Sequence, residues 1–354
     1  MEKKKVLVHG GDWAGYQAEY GAMPLDFSAN ISPLGMPDGV QKAIREAISL
    51  TDRYPDPLCR KLTAAIAEKE DIPAAYCLCG NGAADLIFRV VSAVKPKHAL
   101  LTAPCFAEYE QALRTVNCTV KKYVLKEENE FRLDEGFLEY LTEDVDIVFL
   151  CEPNNPTGVT SSREFLKRVL KRCEDIGTLL VLDECFNDFL DEPEMHTMKE
   201  ELQKSKNLLI LKAFTKMYAM AGVRLGYCLS SDEDLLDGMH EAGQPWAVSV
   251  LAQEAGLAAL QEDAYVTTVR NLIREERKWM KEQLRGLHLR VIEAEANYIL
   301  FQSEKELIQP LKEKGILLRS CGNYVGLDET WYRTAVRSHE ENEKLILAMK
   351  EVLT

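Results

Sequence analysis

Four short runs constrain this chain more than anything else in it: HALLT (98–102), DIVFLC (146–151), TLLVLDE (178–184) and NLLILK (207–212). Each is apolar nearly throughout and does not alternate. A strand with apolar residues on both faces needs cover on both faces, which is the condition of a parallel sheet joined by crossover helices. Segments of helical periodicity lie between the runs, such as SSREFLKRVLKRCEDIG (161–177). The chain therefore reads as α/β, with a mostly parallel central sheet flanked by helices. Functional groups in such sheets gather beyond the carboxyl ends of the strands. The residues just after each run are the ones to weigh.

Past these runs, residues 264–287 predict one long helix with charged and apolar positions interleaved, a surface or bridging element. After Gly286 the pattern changes to short strand-like and helical pieces, which predict a smaller α+β lobe. The expected division is an N-terminal arm and part of the small domain at 1–45, a large domain at 46–285, and a small C-terminal domain at 286–354. A length of 354 residues suits two lobes better than one core.

Charge narrows the partners. With 43 basic and 57 acidic residues the formal net charge is −14. No basic tract is present, so neither nucleic acid nor an anionic membrane is an expected partner. An anionic ligand must be met by local cations. The ten cysteines are scattered, with no C-x-x-C and no zinc spacing, so no metal site is expected. Free thiols suit a reducing compartment. The apolar run VLV near the N-terminus is too short for a signal peptide. A cytoplasmic location is the expectation.

Polar groups of four kinds follow the strand-like runs. In CGNGAADLIFRVV (79–91), Gly80 and Gly82 allow a tight turn into a helix, whose free N–H groups attract phosphate. In LCEPNNPTGVT (150–160), Asn154 or Asn155 can aim an amide donor into a cleft, or the stretch is a plain turn. In VLDECFNDF (181–189), Asp183 ends an aliphatic run. It reads either as a helix cap or as the partner of a cationic ligand atom. In AFTKMYAMAGVRLGY (213–227), Lys216 sits among apolar residues, where a desolvated amine becomes a nucleophile, and Arg224 follows it. Each signal is weak alone. Together they match what pyridoxal phosphate needs: a lysine for its aldehyde, a carboxylate for its ring nitrogen and donors for its phosphate.

In this order the motifs GNGA, PCF, NNPTG, LDE, FTK and AGVRLGY resemble the class I/II aminotransferases, the fold-type I pyridoxal phosphate enzymes. The likeness runs from about residue 5 to the end of the chain. It implies that Lys216 is the Schiff-base lysine and Asp183 the pyridinium partner, the two catalytic positions. It further implies that Asn155 donates to the ring hydroxyl and Phe106 stacks on the ring. Gly82, Ala83, Ala84, Thr215 and Arg224 would hold the phosphate. Tyr54, in DRYPDP, would reach the phosphate of a neighbouring subunit, which implies a homodimer. The chain departs from the family pattern twice. Ala213 stands where a phosphate-binding serine is common, and Phe186 stands where many relatives carry a tyrosine. The first predicts one fewer side-chain donor to the phosphate.

Two further stretches, HGGDWAGY with LDFSANISPLGMP, and ILLRSCGNYVGLDETWYRTAVR, are similar to the threonine-phosphate decarboxylases of the cobalamin pathway. These are near relatives of the histidinol-phosphate aminotransferases. The substrate implied is a phosphorylated amino acid. Its contacts would come from His9, Gly10, Gly11, Asn30, Arg319 and Arg333. Planar guanidinium groups suit carboxylate and phosphate. Arg337 reads as a surface residue. The same residues serve loss of CO₂ or amino transfer to 2-oxoglutarate, depending on which Cα bond is held perpendicular to the ring.

Overall fold

The structure, a computed structural model, describes residues 10–354. Its strands are β1 (Leu25–Asp26), β2 (Cys77–Gly80), β3 (His98–Ala103), β4 (Thr119–Val124), β5 (Ile147–Cys151), β6 (Leu179–Asp183), β7 (Leu208–Ala213), β8 (Gly226–Leu229), β9 (Arg290–Val291), β10 (Tyr298–Gln302), β11 (Ile316–Leu317), β12 (Arg319–Ser320) and β13 (Trp331–Ala335). The four apolar runs are β3, β5, β6 and β7. They form the middle of a seven-stranded sheet in the order β2-β8-β7-β6-β5-β3-β4. From β7 to β4 every pair is parallel. Only β8 runs against both its neighbours.

The apolar runs are explained by cover on both faces. Leu209, Leu211 and Val181 pack with Leu86, Ile87 and Val90 of the helix Ala83–Val94. Leu208, Ile210, Leu180 and Leu182 face the other way, toward Phe165, Leu166 and Val169 of the helix Arg163–Ile176. That second helix starts and stops where its sequence dictates. Ser162 Oγ accepts from Phe165 N–H at 3.2 Å, and Gly177 closes the other end at φ +73°.

A separate antiparallel sheet runs in the order β12-β13-β10-β9, and β1 pairs in parallel with β11. This sheet shares a core of Phe27, Tyr298, Phe301 and Tyr332 with the 24-residue helix Asp263–Gly286 and the C-terminal helix His339–Leu353. The long helix does bridge. Its buried Arg277 donates to Glu295 O and, at 2.9 Å, to Asp191 Oδ1. Arg337 differs from its surface reading. It is partly buried, donates to Asp26 O at 3.1 Å and to Glu341 Oε1 at 2.7 Å, and lies over the Phe27 ring. The turn of the chain onto β1 supplies acceptors that the local sequence does not show. No helix among the described residues is long and apolar enough to cross a membrane.

Candidate active site

Beyond the carboxyl ends of β5, β6 and β7 a cleft holds about 530 Å³ of empty space. Ala83, Ala84, Phe106, Asn155, Asp183, Thr215, Lys216 and Arg224 all line it. The sequence placed these residues over a long span of chain; the sheet topology gathers them in one wall.

One end of the cleft is built from backbone. Gly82 caps the helix Ala83–Val94 with φ +86°, a conformation that strains any L side chain. A Cβ on Gly82 would also lie 2.6 Å from Arg224 Nη2. A Cβ on Gly226 would lie 2.6 Å from Ala83 N. Both glycines let β8 and the guanidinium press against the helix start, where free N–H groups and the helix dipole favour an anion. Thr215 adds a hydroxyl from the short helix Phe214–Met217, while Ala213 offers only a methyl group.

The opposite end is a carboxylate. Asp183 is 5% exposed and has no ion pair with a basic side chain among the described residues. Its Oδ2 accepts from Tyr109 Oη at 2.6 Å and its Oδ1 from Cys185 N–H at 3.1 Å. Burial, with Asp183 adding to it, pushes the Tyr109 phenol well above its ordinary range, so Tyr109 remains a donor. A buried carboxylate held by neutral donors suits a cationic ligand atom.

Between these ends stands Lys216. Burial, then repulsion from Arg333 and Arg224, holds its amine below the ordinary lysine value, against the opposing pull of Cys185 and Asp183. Its Nζ lies 5.5 Å from the centroid of the Phe186 ring. Asn155 is oriented by Arg333, whose Nη1 donates to Asn155 Oδ1 at 2.6 Å. That leaves the amide N–H₂ to serve as a donor. Asn154 faces away, donating to Pro104 O and Thr157 Oγ1, so the two asparagines have different roles.

A second group of polar residues comes from the smaller sheet. Arg319 and Arg333 are register partners across β12 and β13, and are 9% and 6% exposed. Arg333 Nη2 also donates to Ser28 O at 2.7 Å. Gly11 N–H donates to Ser28 Oγ at 2.7 Å, which brings Gly10 and Gly11 within one residue of Arg333. Asn30 is buried nearby in sequence, and its Oδ1 has no hydrogen-bond partner among the described residues. His9 lies outside the described residues. Tyr54 does not line this cleft. It is 79% exposed and stacks on Trp246 at 4.6 Å.

The sequence reading missed Tyr109, Ser28, Tyr298 and the thiols of Cys151 and Cys185. Tyr109 was legible in principle, three residues beyond Phe106, which caps the helix Ala107–Thr115. The others depend on strand register and long-range packing.

A cradle that a Cβ would fill, an unneutralised buried carboxylate and a lowered lysine together fit pyridoxal phosphate. Comparison with known proteins agrees. Residues 22–349 match the aminotransferase class I and II family, and the chain belongs to it. It is a pyridoxal phosphate-dependent enzyme of fold type I. Over 354 residues it is 39% identical to threonine-phosphate decarboxylase of Salmonella typhimurium, covering 98% of this chain and 97% of that protein. The solved structure of histidinol-phosphate aminotransferase from Clostridium acetobutylicum superposes with a TM-score of 0.87 at 29% identity, covering 93% of this chain and 98% of the other. That of L-threonine-O-3-phosphate decarboxylase from Porphyromonas gingivalis gives 0.83 at 26%, covering 93% and 99%.

Proposed function

We propose that this enzyme decarboxylates L-threonine O-3-phosphate to (R)-1-aminopropan-2-ol phosphate, in the aminopropanol branch of cobalamin biosynthesis. The observation that carries the reading is the pair of facing, buried arginines, Arg319 and Arg333. Like charges placed directly opposite on a strand pair destabilise a sheet. An acidic protein that keeps two such cations beside its cleft is equipped for a substrate with two anionic groups. The 39% identity to a relative of that name supports the choice.

When bound, pyridoxal phosphate supplies a sink for the electron pair released at the substrate Cα. Asp183 keeps the ring nitrogen protonated, with Tyr109 holding the carboxylate in place. Asn155, fixed by Arg333, donates to the ring hydroxyl. Arg333 would hold the substrate carboxylate and Arg319 its second anionic group, and the hold on the carboxylate would select the bond from Cα to CO₂ for cleavage. Lys216, with its lowered pKa, carries the proton that replaces CO₂ on Cα. Gly10, Gly11 and Asn30 would complete the pocket around the substrate.

The partner is a second copy of the chain. The exposed Tyr54–Trp246 stack is an apolar patch suited to a subunit interface, with Tyr54 reaching the neighbouring cofactor phosphate. Ten free cysteines fit a cytoplasmic protein.

The test is incubation of the purified holoenzyme with L-threonine O-3-phosphate. CO₂ release without a 2-oxo acid is the expected result. Dependence on 2-oxoglutarate, with glutamate formed, would instead support amino transfer on a substrate such as histidinol phosphate. The likeness to an aminotransferase structure at 29% identity makes that the second reading.

A further inference from the structure

The two facing arginines are seated in the same way. Arg333 lies over the ring of Tyr298, 5.5 Å from its centroid, and donates to the side-chain oxygen of Asn155. Arg319 lies over the ring of Tyr324, 5.3 Å from its centroid, and its Nη2 donates to Asn323 Oδ1 at 2.8 Å. Each cation thus has one aromatic face and one asparagine. The first seat comes from the core of the two sheets. The second comes from residues adjacent in sequence, on the loop between β12 and β13.

That loop is tightly organised. Tyr324 N–H donates to Cys321 O at 3.0 Å and Leu327 N–H to Tyr324 O at 3.1 Å, while Cys321 N–H bonds Trp331 O at 2.8 Å. Gly326, at φ +91°, lies beside Ala103 and Pro104 at the end of β3. Asn323 and Tyr324 also border a large cavity that shares Phe106 with the cleft. A guanidinium over a ring and bound at one edge is fixed in plane and in direction. A long side chain left unseated would lose rotamer freedom at the moment of binding.

We infer that Asn323 and Tyr324 are positioning residues that aim Arg319 at the second anionic group of the substrate, and so select doubly anionic amino acids. The inference rests on the function proposed above, because it presumes a phosphorylated substrate. It assigns the selectivity to this loop and not to the phosphate cradle of the cofactor.

The experiment compares holoenzyme variants Asn323→Leu, Tyr324→Leu and Tyr324→Phe with the unmodified enzyme. Each is given L-threonine O-3-phosphate and unphosphorylated L-threonine, and binding is also followed by the change in cofactor absorbance. In both leucine variants KM for the phosphorylated substrate should rise about tenfold, with kcat changed less than about twofold. The preference for it over L-threonine should fall by a similar factor. Tyr324→Phe, which keeps the ring face and loses only the hydroxyl's hydrogen bond with Arg319, should stay within about threefold of the parent. An unchanged preference in both leucine variants overturns the inference and leaves the proposed reaction standing. An unmodified enzyme that accepts no phosphorylated amino compound sinks both.

Discussion

The stretch KAFTK (212–216) carries two lysines, Lys212 buried near the end of β7 and Lys216 half-buried on the short helix that follows, and they are treated in opposite ways. On the cofactor side, Lys216 is disfavoured as a cation by burial and by two arginines. On the other side, burial works equally against charge on Lys212, but Glu70, Asp188 and Glu184 outweigh it and hold its pKa above the ordinary value. Their oxygens stand 3.7–3.9 Å from its Nζ. Those carboxylates have partners of their own. Tyr227 Oη donates to Glu70 at 2.5 Å, and Thr197 and Met198 N–H donate to Glu184. One face is closed electrostatically; the other is left open to be completed by a ligand. Residues four apart can thus serve stability and chemistry separately, because Lys212 lies on β7 and Lys216 on the short helix Phe214–Met217 that follows it.

The largest effect should come from the open face. Lys216→Ala is expected to cut turnover by about 10,000-fold or more. Borohydride treatment followed by mass spectrometry should find no cofactor fixed to the chain. Cofactor still trapped at that position would break the assignment. The second test is the mirror image. Lys212→Met strands a buried carboxylate cluster, and urea unfolding should show a loss of about 3–5 kcal/mol. Lys216→Met, measured without cofactor, should change stability by less than about 1 kcal/mol. Equal losses in the two variants would erase the contrast between the faces.

Glu152 sharpens the comparison, because it is a buried carboxylate with no lysine partner among the described residues. Burial raises its pKa to about 7, with hydrogen bonds from Ser161 opposing and Glu295 and Glu184 adding. A carboxyl whose folded pKa lies above its unfolded value adds stability at low pH. That contribution fades as pH rises from about 4.5 through about 7, by roughly 3 kcal/mol in all. Glu152→Gln should therefore flatten the fall in unfolding free energy between about pH 5 and about pH 8. An identical pH profile in parent and variant would contradict it. The last test is Tyr109→Phe. It removes one hydrogen bond to a charged acceptor, about 1.5–3 kcal/mol. It should also shift the pH at which the bound cofactor's absorbance titrates, and an unshifted titration would mean Tyr109 does not tune Asp183.

Much of this contrast was hidden in the sequence. The central strands were readable, since strands covered on both faces are continuous apolar runs. Lys216, Asp183, Asn155 and Arg224 were readable as strand-end polar groups in a known order of motifs. Lys212 ended one of those runs and drew no attention, because Glu70, Glu184 and Asp188 come to it from separate segments. The facing of Arg319 and Arg333 is likewise a matter of register, which a two-residue strand such as β12 does not declare. The antiparallel insertion of β8 was also unreadable, since GYCL has no pattern that distinguishes its direction.

That insertion has a consequence for how the protein unfolds. β8 connects β2, at the margin of the sheet, to β7, and Gly226 presses on the helix start that cradles phosphate. Ligand binding stabilises whatever it must find folded. The cofactor should therefore act as a fastener for this margin, and amide hydrogen exchange in β2 and β8 should quicken on its removal well before that in β5 and β6.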